Sequence, residues 1–348
     1  LYQRDWTPRH STGALATRET SNGRWANLTW TERLQEVLRW EDDLALCPSE
    51  TYHGPEVTVL AKAQEPPAKL VLVPKTMKGP RVIVEEPVYN QYIQQGIFHL
   101  MSEVLEESRF SHLARAFSWA DQEPNRLLAK EGSVCGGYAT IDLSEASDRV
   151  SLELVELLLD SVPFLRAAVL ASRSERVQIG HGRTISLNKF ASMGSSLCFP
   201  IESMVFYVIA SIAQAETHAI APSALRRSRY TGALRVYGDD IIVPQIVAQN
   251  ALYWLQAYGL KVNVDKTFTT GLFRESCGSD WFRGKDVSVF KLRQPLPTKR
   301  DQYQLLRSAI EFHNRAYSSG WFLVADHVAS YLDKVKPKIP RVPLGLDT

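Results

Sequence analysis

Val236-Tyr237-Gly238-Asp239-Asp240-Ile241-Ile242-Val243 is a stretch in which two adjacent acids stand between two apolar, β-branched runs. The flanking residues prefer strands, and Gly238 supplies the backbone freedom that a two-residue hairpin turn demands. Two acids at a hairpin tip repel each other, whereas a divalent cation would offset both charges, and carboxylate oxygens suit Mg²⁺. The pattern therefore predicts a metal-binding hairpin, although a solvated acidic turn fits the same four residues.

The basic residues of the chain are clustered rather than in excess. The 348 residues carry a formal net charge of +2, and contents of 45% hydrophobic and 22% charged residues are ordinary for a globular protein. Residues 62–81 contain five Lys or Arg against one acid, residues 226–235 contain four and no acid, and residues 283–300 contain six against one. Such segments beside a metal site suit a phosphate-lined channel, although each alone also fits a solvated face.

The cysteines indicate the redox compartment, and the hydrophobic runs indicate whether the chain enters a membrane. Four cysteines lie far apart with no C-x-x-C pair, so neither a zinc site nor a disulfide framework is predicted, and a reducing compartment is the simple inference. No signal peptide is evident, and the most apolar run, at 204–213, is too short to span a bilayer, so no membrane is expected. The chain opens at Leu1 rather than Met, as an excerpt of a longer protein would.

Residues 66–87 predict two short strands joined by a loop that carries Lys75, Lys78 and Arg81. Flexible cations on a rigid ribbon are well placed to grip a triphosphate. An exposed hairpin loop with no ligand would have a similar sequence.

The stretch Tyr138 to Val150 predicts a strand that ends at Asp142 and a helix that begins a few residues later. An unpaired charge at the end of a central strand is costly, so Asp142 is either functional or salt-bridged. Asp148 is ambiguous by itself, because Asp is also common in the first turn of a helix.

A loop of small residues precedes an apolar helix that runs to about residue 213. Ser192, Gly194 and Ser195 leave room for a ligand close to the backbone, although a simple helix start looks the same. The region before this loop, residues 160–190, reads as an insertion with a turn at Gly180-His181-Gly182.

Other elements follow from the hydrophobic periodicity. Helices are predicted near 32–46, 89–105, 122–130 and 249–258, and from about 300 onward. Lys266 is expected on a strand, and residues 273–278 are expected to pair with residues 289–291 in a second ribbon.

The order of these segments is more specific than any one of them. The chain resembles RNA-directed RNA polymerases, most closely the replicase beta subunits of positive-strand RNA bacteriophages, the levivirus or Qβ-like group. The resemblance runs from about residue 70 to about residue 290. It is carried by Ile141-Asp142-Leu143-Ser144, Ala146-Ser147-Asp148, Ser192-Met193-Gly194, Tyr237-Gly238-Asp239-Asp240-Ile241-Ile242 and Phe273-Arg274-Glu275-Ser276-Cys277-Gly278.

The resemblance implies an α+β chain with the right-hand polymerase fold of fingers, palm and thumb, in which an antiparallel palm sheet packs on helices. Residues 1–137 would be mostly fingers and N-terminal region, with a basic ribbon at 69–86. Residues 138–292 would form the palm, with a fingers insertion at about 160–190, and residues 293–348 would form a short thumb.

The resemblance also implies roles for individual residues. Asp142, Asp239 and Asp240 would hold two Mg²⁺ ions, for which Mn²⁺ can substitute, and so carry out two-metal nucleotidyl transfer. Lys266 falls where the family has a lysine that donates a proton to pyrophosphate, although a phosphate contact or a solvated lysine fits equally well. The residues implied in NTP binding are Lys75, Lys78, Arg81, Asp148, Ser192, Gly194, Ser195 and Glu202, and those implied in template or primer binding are Arg274 and Lys291.

The choice between RNA and DNA synthesis is expected to depend on Asp148, positioned to sense the ribose 2′-hydroxyl through neighbouring polar groups. Reverse transcriptases place a bulky aromatic residue shortly after the first metal acid, and residues 143–147 contain none. Many RNA polymerases carry Thr and Asn where this chain has Cys198 and Glu202. Ser195 and Ser196 are expected to compensate by hydrogen bonding to Asp148.

The predicted activity is that of an RNA-dependent RNA polymerase that copies single-stranded viral RNA from NTPs and releases pyrophosphate. The alternatives are a reverse transcriptase and a catalytically silent RNA-binding replication subunit. The resemblance implies an RNA template and a nascent strand as partners, work in bacterial cytoplasm, and recruitment of host translation factors.

Overall fold

The computed structural model describes residues 8–26, 29–43, 57–76, 79–106, 111–180, 182–227, 234–292, 294–299 and 301–335. The chain divides into two compact units, residues 1–286 and residues 287–348. The assignment of residue ranges to fingers, palm and thumb stays a prediction.

The strands, numbered in chain order, are β1 (Thr29–Thr31), β2 (Thr58–Leu60), β3 (Ala68–Thr76), β4 (Gly79–Glu85), β5 (Tyr138–Ile141), β6 (Leu143–Ser144), β7 (Arg176–Ile179), β8 (Arg183–Ser186), β9 (Arg235–Tyr237), β10 (Asp240–Pro244), β11 (Lys261–Val262), β12 (Phe273–Ser276), β13 (Ser279–Phe282) and β14 (Lys285–Asp286).

The α-helices are α1 (Gly23–Ala26), α2 (Glu32–Gln35), α3 (Trp40–Asp43), α4 (Val88–Glu106), α5 (Ser111–Ala116), α6 (Glu123–Cys135), α7 (Ala146–Arg149), α8 (Leu152–Leu158), α9 (Pro163–Ala171), α10 (Cys198–Thr217), α11 (Ala248–Ala257), α12 (Tyr303–Ser318) and α13 (Phe322–Val335). Short 3₁₀ helices span Lys62–Gln64, Pro222–Arg227, Gln245–Val247 and Val264–Lys266.

The central sheet consists of β5, β10 and β9 in that order, all antiparallel. The segment after α11 covers the outer side of β5, because β11 pairs with β6 and Phe268 exchanges backbone hydrogen bonds with Thr140. Helices α6, α10 and α11 pack on this sheet, and α10 and α11 contribute side chains to the main hydrophobic core of unit 1. The strand that ends before Asp142 is therefore flanked on both sides, as the sequence predicts.

Helix α10 lies in that core. It spans 20 residues and is long and apolar enough to cross a membrane by length and composition, but most of it is buried inside the protein. The sequence analysis expected this apolar run to be too short to span a bilayer. That length argument is wrong, since the helix extends beyond residues 204–213. Burial on several sides accounts for its apolar composition.

The basic ribbon, defined here as strands β3 and β4 with their connecting loop, belongs to a four-stranded sheet in the order β4-β3-β7-β8. Strands β7 and β8 come from the predicted insertion at 160–190, and β7 runs parallel to β3. His181 of the predicted turn lies outside the described residues. Ala68, Val84 and Val177 form a small buried cluster at the base of the ribbon.

Unit 2 contains the predicted C-terminal helices, α12 and α13, which pack against each other. Phe290 stacks on Phe312 with ring centroids 4.4 Å apart, and the Tyr331 hydroxyl donates to the Pro297 carbonyl at 3.1 Å. These contacts fix the segment that precedes α12.

The first predicted helix and the second predicted ribbon differ from the structure. The helix predicted at 32–46 is two short helices, α2 and α3, because the Trp30 indole donates to the Leu38 carbonyl and the Gln35 side chain accepts from the Trp40 amide. Residues 44–46 lie outside the described part. The second ribbon pairs β12 with β13 across a tight turn at 277–278, not with residues 289–291, which form no strand.

Candidate active site

The tip of the paired-acid hairpin, strands β9 and β10, is fixed by helix α10. Asp240 pairs with Tyr237 across a two-residue turn in which Gly238 has a φ of +60°. The Gly238 amide donates to the Ser203 hydroxyl at 3.0 Å. A Cβ on Gly238 would lie 2.7 Å from the Phe199 ring, so glycine is required both by conformation and by space.

The sheet register brings Asp142 beside this tip. Ile141 pairs with Ile241, so the next residue along β5, Asp142, lies opposite Asp240. The Asp142 carboxylate accepts from the Asn263 amide at 2.7 Å, and its backbone amide donates to the Thr267 hydroxyl at 3.3 Å. The segment after β11 therefore fixes Asp142 from the other side.

The three acids carry more negative charge than their surroundings offset. Burial raises the pKa of Asp142, and the Asp239 charge raises it further, against the hydrogen bond from Asn263. Burial and Asp239 together raise the pKa of Asp240 to about 6, although its carboxylate accepts from the Cys277 amide at 3.2 Å. Asp142 and Asp240 are thus destabilised as anions by burial and by the neighbouring charge.

These carboxylates interact electrostatically but do not form a finished metal site. Within the described ranges, no group of three or more His, Cys, Asp or Glu side chains is placed to hold a metal ion. Hard carboxylate oxygens with excess negative charge are nevertheless the donor set that Mg²⁺ prefers. The donor chemistry fits the ion, and binding would require the carboxylates to draw together.

Glu202 adds a fourth acid beneath the hairpin. It lies on α10 with 8% relative exposure, and its carboxylate is 3.4 Å from the Cβ position of Gly238. Burial, with smaller contributions from Asp239 and Asp148, raises its pKa to about 8. A carboxyl group with this pKa is mostly neutral at pH 7, so Glu202 supports the turn from below rather than meeting solvent as an anion.

Asp148 is bound by a residue that the sequence analysis missed. Its carboxylate forms an ion pair with the ammonium group of Lys189. Ser195 donates instead to the Gln94 side chain at 3.1 Å, and Ser196 accepts from Gln95 at 2.7 Å. The expectation that the two serines hydrogen-bond to Asp148 is therefore wrong.

The small-residue loop lies against the basic ribbon. The Val84 amide donates to the Met193 carbonyl at 2.8 Å, and a Cβ on Gly194, whose φ is +118°, would lie 2.1 Å from the Val84 carbonyl oxygen. Gly194 therefore permits a close backbone approach. Ser192 is 4% exposed, and its hydroxyl has no hydrogen-bond partner among the described residues.

The cations of the ribbon are only partly visible. Arg81 lies on β4, half-buried and paired with Val73. Lys78 and the Lys75 side chain lie outside the described residues, so their predicted contact with a triphosphate stays a prediction.

Lys266 lies in a 3₁₀ helix, not on a strand as predicted, because the strand β11 ends at Val262. Its ammonium group contacts the Glu275 carboxylate at 2.9 Å. This hydrogen bond raises the pKa of Lys266, and the Asp142 and Asp240 charges raise it further. Lys266 is thus a protonated cation at the edge of the acid cluster.

Of the two residues predicted to bind template or primer, Arg274 is buried, whereas Lys291 is exposed and its role stays a prediction. Arg274 is 0% exposed, and its guanidinium donates to the backbone carbonyls of Tyr138, Thr270, Gly271 and Phe273. A nucleic acid cannot reach it, so we assign it a structural role. Lys291 is exposed but lies in unit 2, in a coil beyond the last strand, and not on a ribbon as predicted.

Three supporting residues were missed at the sequence level: Lys189, Asn263 and Glu275. Asn263 stands between Val262 and Val264 as a single polar residue, which is a detectable signal. Lys189 and Glu275 carry no such signal, because single charged residues in short strands or loops are usually solvated.

The comparisons with known proteins agree with this geometry. Residues 53–314 match the family model described as RNA replicase, beta-chain. The RNA-directed RNA polymerase beta chains of Enterobacteria phage fr and Escherichia phage MS2 are each 38% identical over 224 residues, covering 64% of this chain and 37% of theirs. The RNA-directed RNA polymerase subunit beta of Qbeta virus (strain MX1) is 37% identical over 233 residues, covering 67% and 36%. The matched segments thus span less than half the length of these relatives.

Solved structures confirm the fold. The RNA-dependent RNA polymerase of a human picorbirnavirus superposes with a TM-score of 0.53 at 13% identity, covering 78% of this chain and 56% of that one. Its insertion loop deletion mutant gives a TM-score of 0.51 at 12% identity, covering 78% and 57%. The predicted α+β polymerase fold is therefore confirmed.

Proposed function

The chain belongs to the RNA replicase beta-chain family, and from this membership we propose that it is an RNA-dependent RNA polymerase, or the part of one that holds the active site. It would copy single-stranded RNA from NTPs and release pyrophosphate. The single observation that carries the proposal is the register that places Asp142 opposite the paired-acid turn, where burial and mutual repulsion raise the pKa values of Asp142 and Asp240.

Asp142, Asp239 and Asp240 would hold Mg²⁺, for which Mn²⁺ can substitute. When bound there, the metal would lower the pKa of the 3′-hydroxyl of the growing strand and neutralise charge on the triphosphate. The protein contributes orientation: Asn263 fixes Asp142, the Cys277 amide fixes Asp240, and Glu202 and Ser203 support the turn from α10.

The triphosphate would lie between the acid cluster and the cations that face it. Arg81, with Lys75 and Lys78, would neutralise its oxygens from the basic ribbon. Lys266, held by Glu275, would supply a proton or a hydrogen bond to the departing pyrophosphate. Asp148 would accept a hydrogen bond from the ribose 2′-hydroxyl and so favour NTPs over dNTPs.

The test is Mg²⁺-dependent extension of a primer on a defined RNA template by the purified chain. We expect incorporation that requires Mg²⁺, and a loss of at least about 100-fold in Asp239→Asn, which keeps size and removes one ligand charge. Asp160→Asn, an exposed Asp paired with Arg166, is the matched control and should leave the rate unchanged.

The same assay separates the alternatives. A preference for dNTPs over NTPs would indicate a reverse transcriptase, and no incorporation of either would indicate a silent RNA-binding subunit. Equal activity of the wild type and Asp239→Asn would mean that the measured synthesis comes from another enzyme.

The relatives described above are phage proteins, so we also propose that this chain acts in the cytoplasm of a bacterial host. Host translation factors are its proposed partners. Adding purified bacterial translation factors to the extension assay tests this partnership, and an unchanged rate and unchanged template range would contradict it.

A further inference from the structure

Lys189 is the charged residue that binds Asp148. The ion pair joins the Lys189 ammonium to one carboxylate oxygen, Oδ1. The Lys189 side chain is 22% exposed and the Asp148 side chain is 50% exposed, so the Asp148 carboxylate is accessible from solvent. A carboxylate has a second oxygen that can accept from another donor.

The backbone around Lys189 is held on two sides. Lys189 forms a bridge with Ser151, flanked by hydrogen bonds from the Leu152 amide to the Asn188 carbonyl at 3.0 Å and from the Phe190 amide to the Val150 carbonyl at 2.9 Å. Asp148 is the last residue but one of α7, which ends at Arg149 just before this pairing begins. The two residues are therefore carried by paired segments, which keeps the donor and the acceptor in register.

Arg173 fixes the same segment from the other side. Its guanidinium, 5% exposed, donates to the carbonyls of Phe190 at 2.9 Å and of Leu187 and Lys189 at 3.1 Å. Burying a guanidinium group is unfavourable unless its donors are satisfied, and three hydrogen bonds to neighbouring carbonyls restrict the conformation of this backbone segment. The position from which Lys189 reaches Asp148 is thus built into the fold.

The serines that the sequence analysis expected to bind the Asp148 carboxylate have other partners. Ser195 and Ser196 are bonded to Gln94 and Gln95, as described above. Cys198 and Glu202 occupy the positions where many RNA polymerases have Thr and Asn. The Asp148 charge contributes to raising the pKa of both Cys198 and Glu202, and Lys189 acts on the pKa of Cys198 in the opposite direction.

We propose that Lys189 is a positioning residue for sugar selection: it holds the Asp148 carboxylate by one oxygen so that the other can accept from the ribose 2′-hydroxyl. The proposal deepens the proposed polymerase function and depends on it. Without the ammonium group, the exposed Asp148 side chain would rotate freely. The extra hydrogen bond that distinguishes an NTP from a dNTP would then be lost in most orientations.

The experiment measures kcat/KM for ATP and for dATP in the extension assay, with the full 348-residue chain and its Lys189→Met variant. We expect the ratio of the two values to fall about tenfold, the factor that one hydrogen bond to a charged group supplies. The loss should appear mainly in the KM for ATP, while kcat/KM for dATP changes little. A purely structural defect would lower kcat/KM equally for ATP and for dATP, and would leave the ratio unchanged.

Three further variants make the result decisive. Lys189→Arg keeps a cation and should restore most of the ratio. In an Asp148→Asn background, Lys189→Met should cause no further fall, because both changes remove the same interaction. Lys62→Met removes a lysine from a different ion pair, with Glu175, and should not alter the ratio.

An unchanged ratio in Lys189→Met, or an equal fall in the Asp148→Asn background, would overturn the inference while leaving the polymerase proposal intact. A wild-type chain that incorporates no nucleotide would overturn the polymerase proposal first. Should Lys189→Met fail to fold, as seen from its thermal melting, Lys189→Gln replaces it in the same two backgrounds, because glutamine also removes the ammonium group but keeps a polar side chain.

Discussion

The paired-acid hairpin and the basic ribbon are both antiparallel hairpins of β-branched residues, but their surroundings differ. Ile242 and Val243 of β10 are 0% exposed, whereas Leu72 on β3 and Val82 on β4 are 57% and 45% exposed. The hairpin is covered by α10 and by β5, and the ribbon is buried only at its base. Similar local sequences thus give opposite burial, because a strand's neighbours decide what its side chains contact.

The difference separates two ways of holding charge. At the hairpin, Asp240 and the neighbouring Asp142 are each fixed by hydrogen bonds, at the cost of a raised pKa for both carboxyl groups. On the ribbon, basic residues lie on strands whose apolar side chains are partly exposed to solvent. We infer that the hairpin is preorganised and that the ribbon adapts to what it binds, and the following experiments test that contrast.

The largest expected effect is on packing. Ile242→Ala should lower the free energy of unfolding by about 2–5 kcal/mol, because it removes a fully buried side chain from the central strand. Val82→Ala should change it by no more than about 0.5 kcal/mol. Urea unfolding of both variants measures the difference, and equal losses would contradict the contrast in burial.

Two cations provide a second test. Arg274→Met should cost about 2–3 kcal/mol, because it leaves buried backbone carbonyls without their donor. Lys291→Met, at an exposed cation, should cost less than about 0.5 kcal/mol. Under conditions where both variants are folded, Arg274→Met should bind RNA as the wild type does, and a specific loss of RNA affinity would restore the predicted nucleic-acid role of Arg274.

The tip of the hairpin can be tested by a matched pair of glycines. Gly238→Ala should cost about 2–3 kcal/mol, since it adds a close contact with Phe199 to the penalty of a left-handed backbone. Gly259→Ala, at a φ of +82° with nothing within 4 Å, should cost only about 1 kcal/mol. Chemical unfolding of the two variants measures the cost of the steric contact as the difference between their losses of stability. Equal losses would mean that Phe199 on α10 moves aside.

The smallest effect is a change in pH dependence at the base of the ribbon. Burial raises the pKa of Glu86, despite hydrogen bonds from Ser174 and Asn90. Folding therefore favours the protonated form, and this contribution to stability is lost as the pH rises above about 4.3, the pKa of an unfolded glutamate.

Glu86→Gln cannot titrate, so its stability relative to the wild type should increase with pH, as measured by unfolding between pH 4 and pH 8. Glu36→Gln, at an exposed site, is the matched control. If the stability of the wild type instead rose with pH relative to Glu86→Gln, the attraction of the neighbouring arginines would outweigh the effect of burial on the pKa of Glu86.

Local patterns were sufficient for the elements whose neighbours are close in sequence. The Gly238 turn, the ribbon and helix α4 were predicted near their observed bounds, since turn chemistry and periodicity are local. The proximity of Asp142 to the paired acids was expected from a family resemblance and not from spacing. Only the sheet register, which depends on long-range pairing, makes that proximity a structural fact.

Features that depend on distant contacts could not be predicted. The Lys189–Asp148 pair joins residues 41 apart in sequence, and no pattern marks Lys189 as the partner of Asp148. The break between α2 and α3 follows from the Trp30 contact with Leu38, whereas the periodicity of 32–46 favours one helix. Arg274 looks like any basic residue on a ribbon until its burial is known.

The contact between Gly194 and Val84 has a genetic consequence. Every residue other than glycine carries a Cβ, and at position 194 that atom would overlap the Val84 carbonyl oxygen. Any missense change in codon 194 therefore forces the loop away from the ribbon, whatever the new side chain is. We expect a library of all substitutions at this codon, selected for replication, to return the original residue alone.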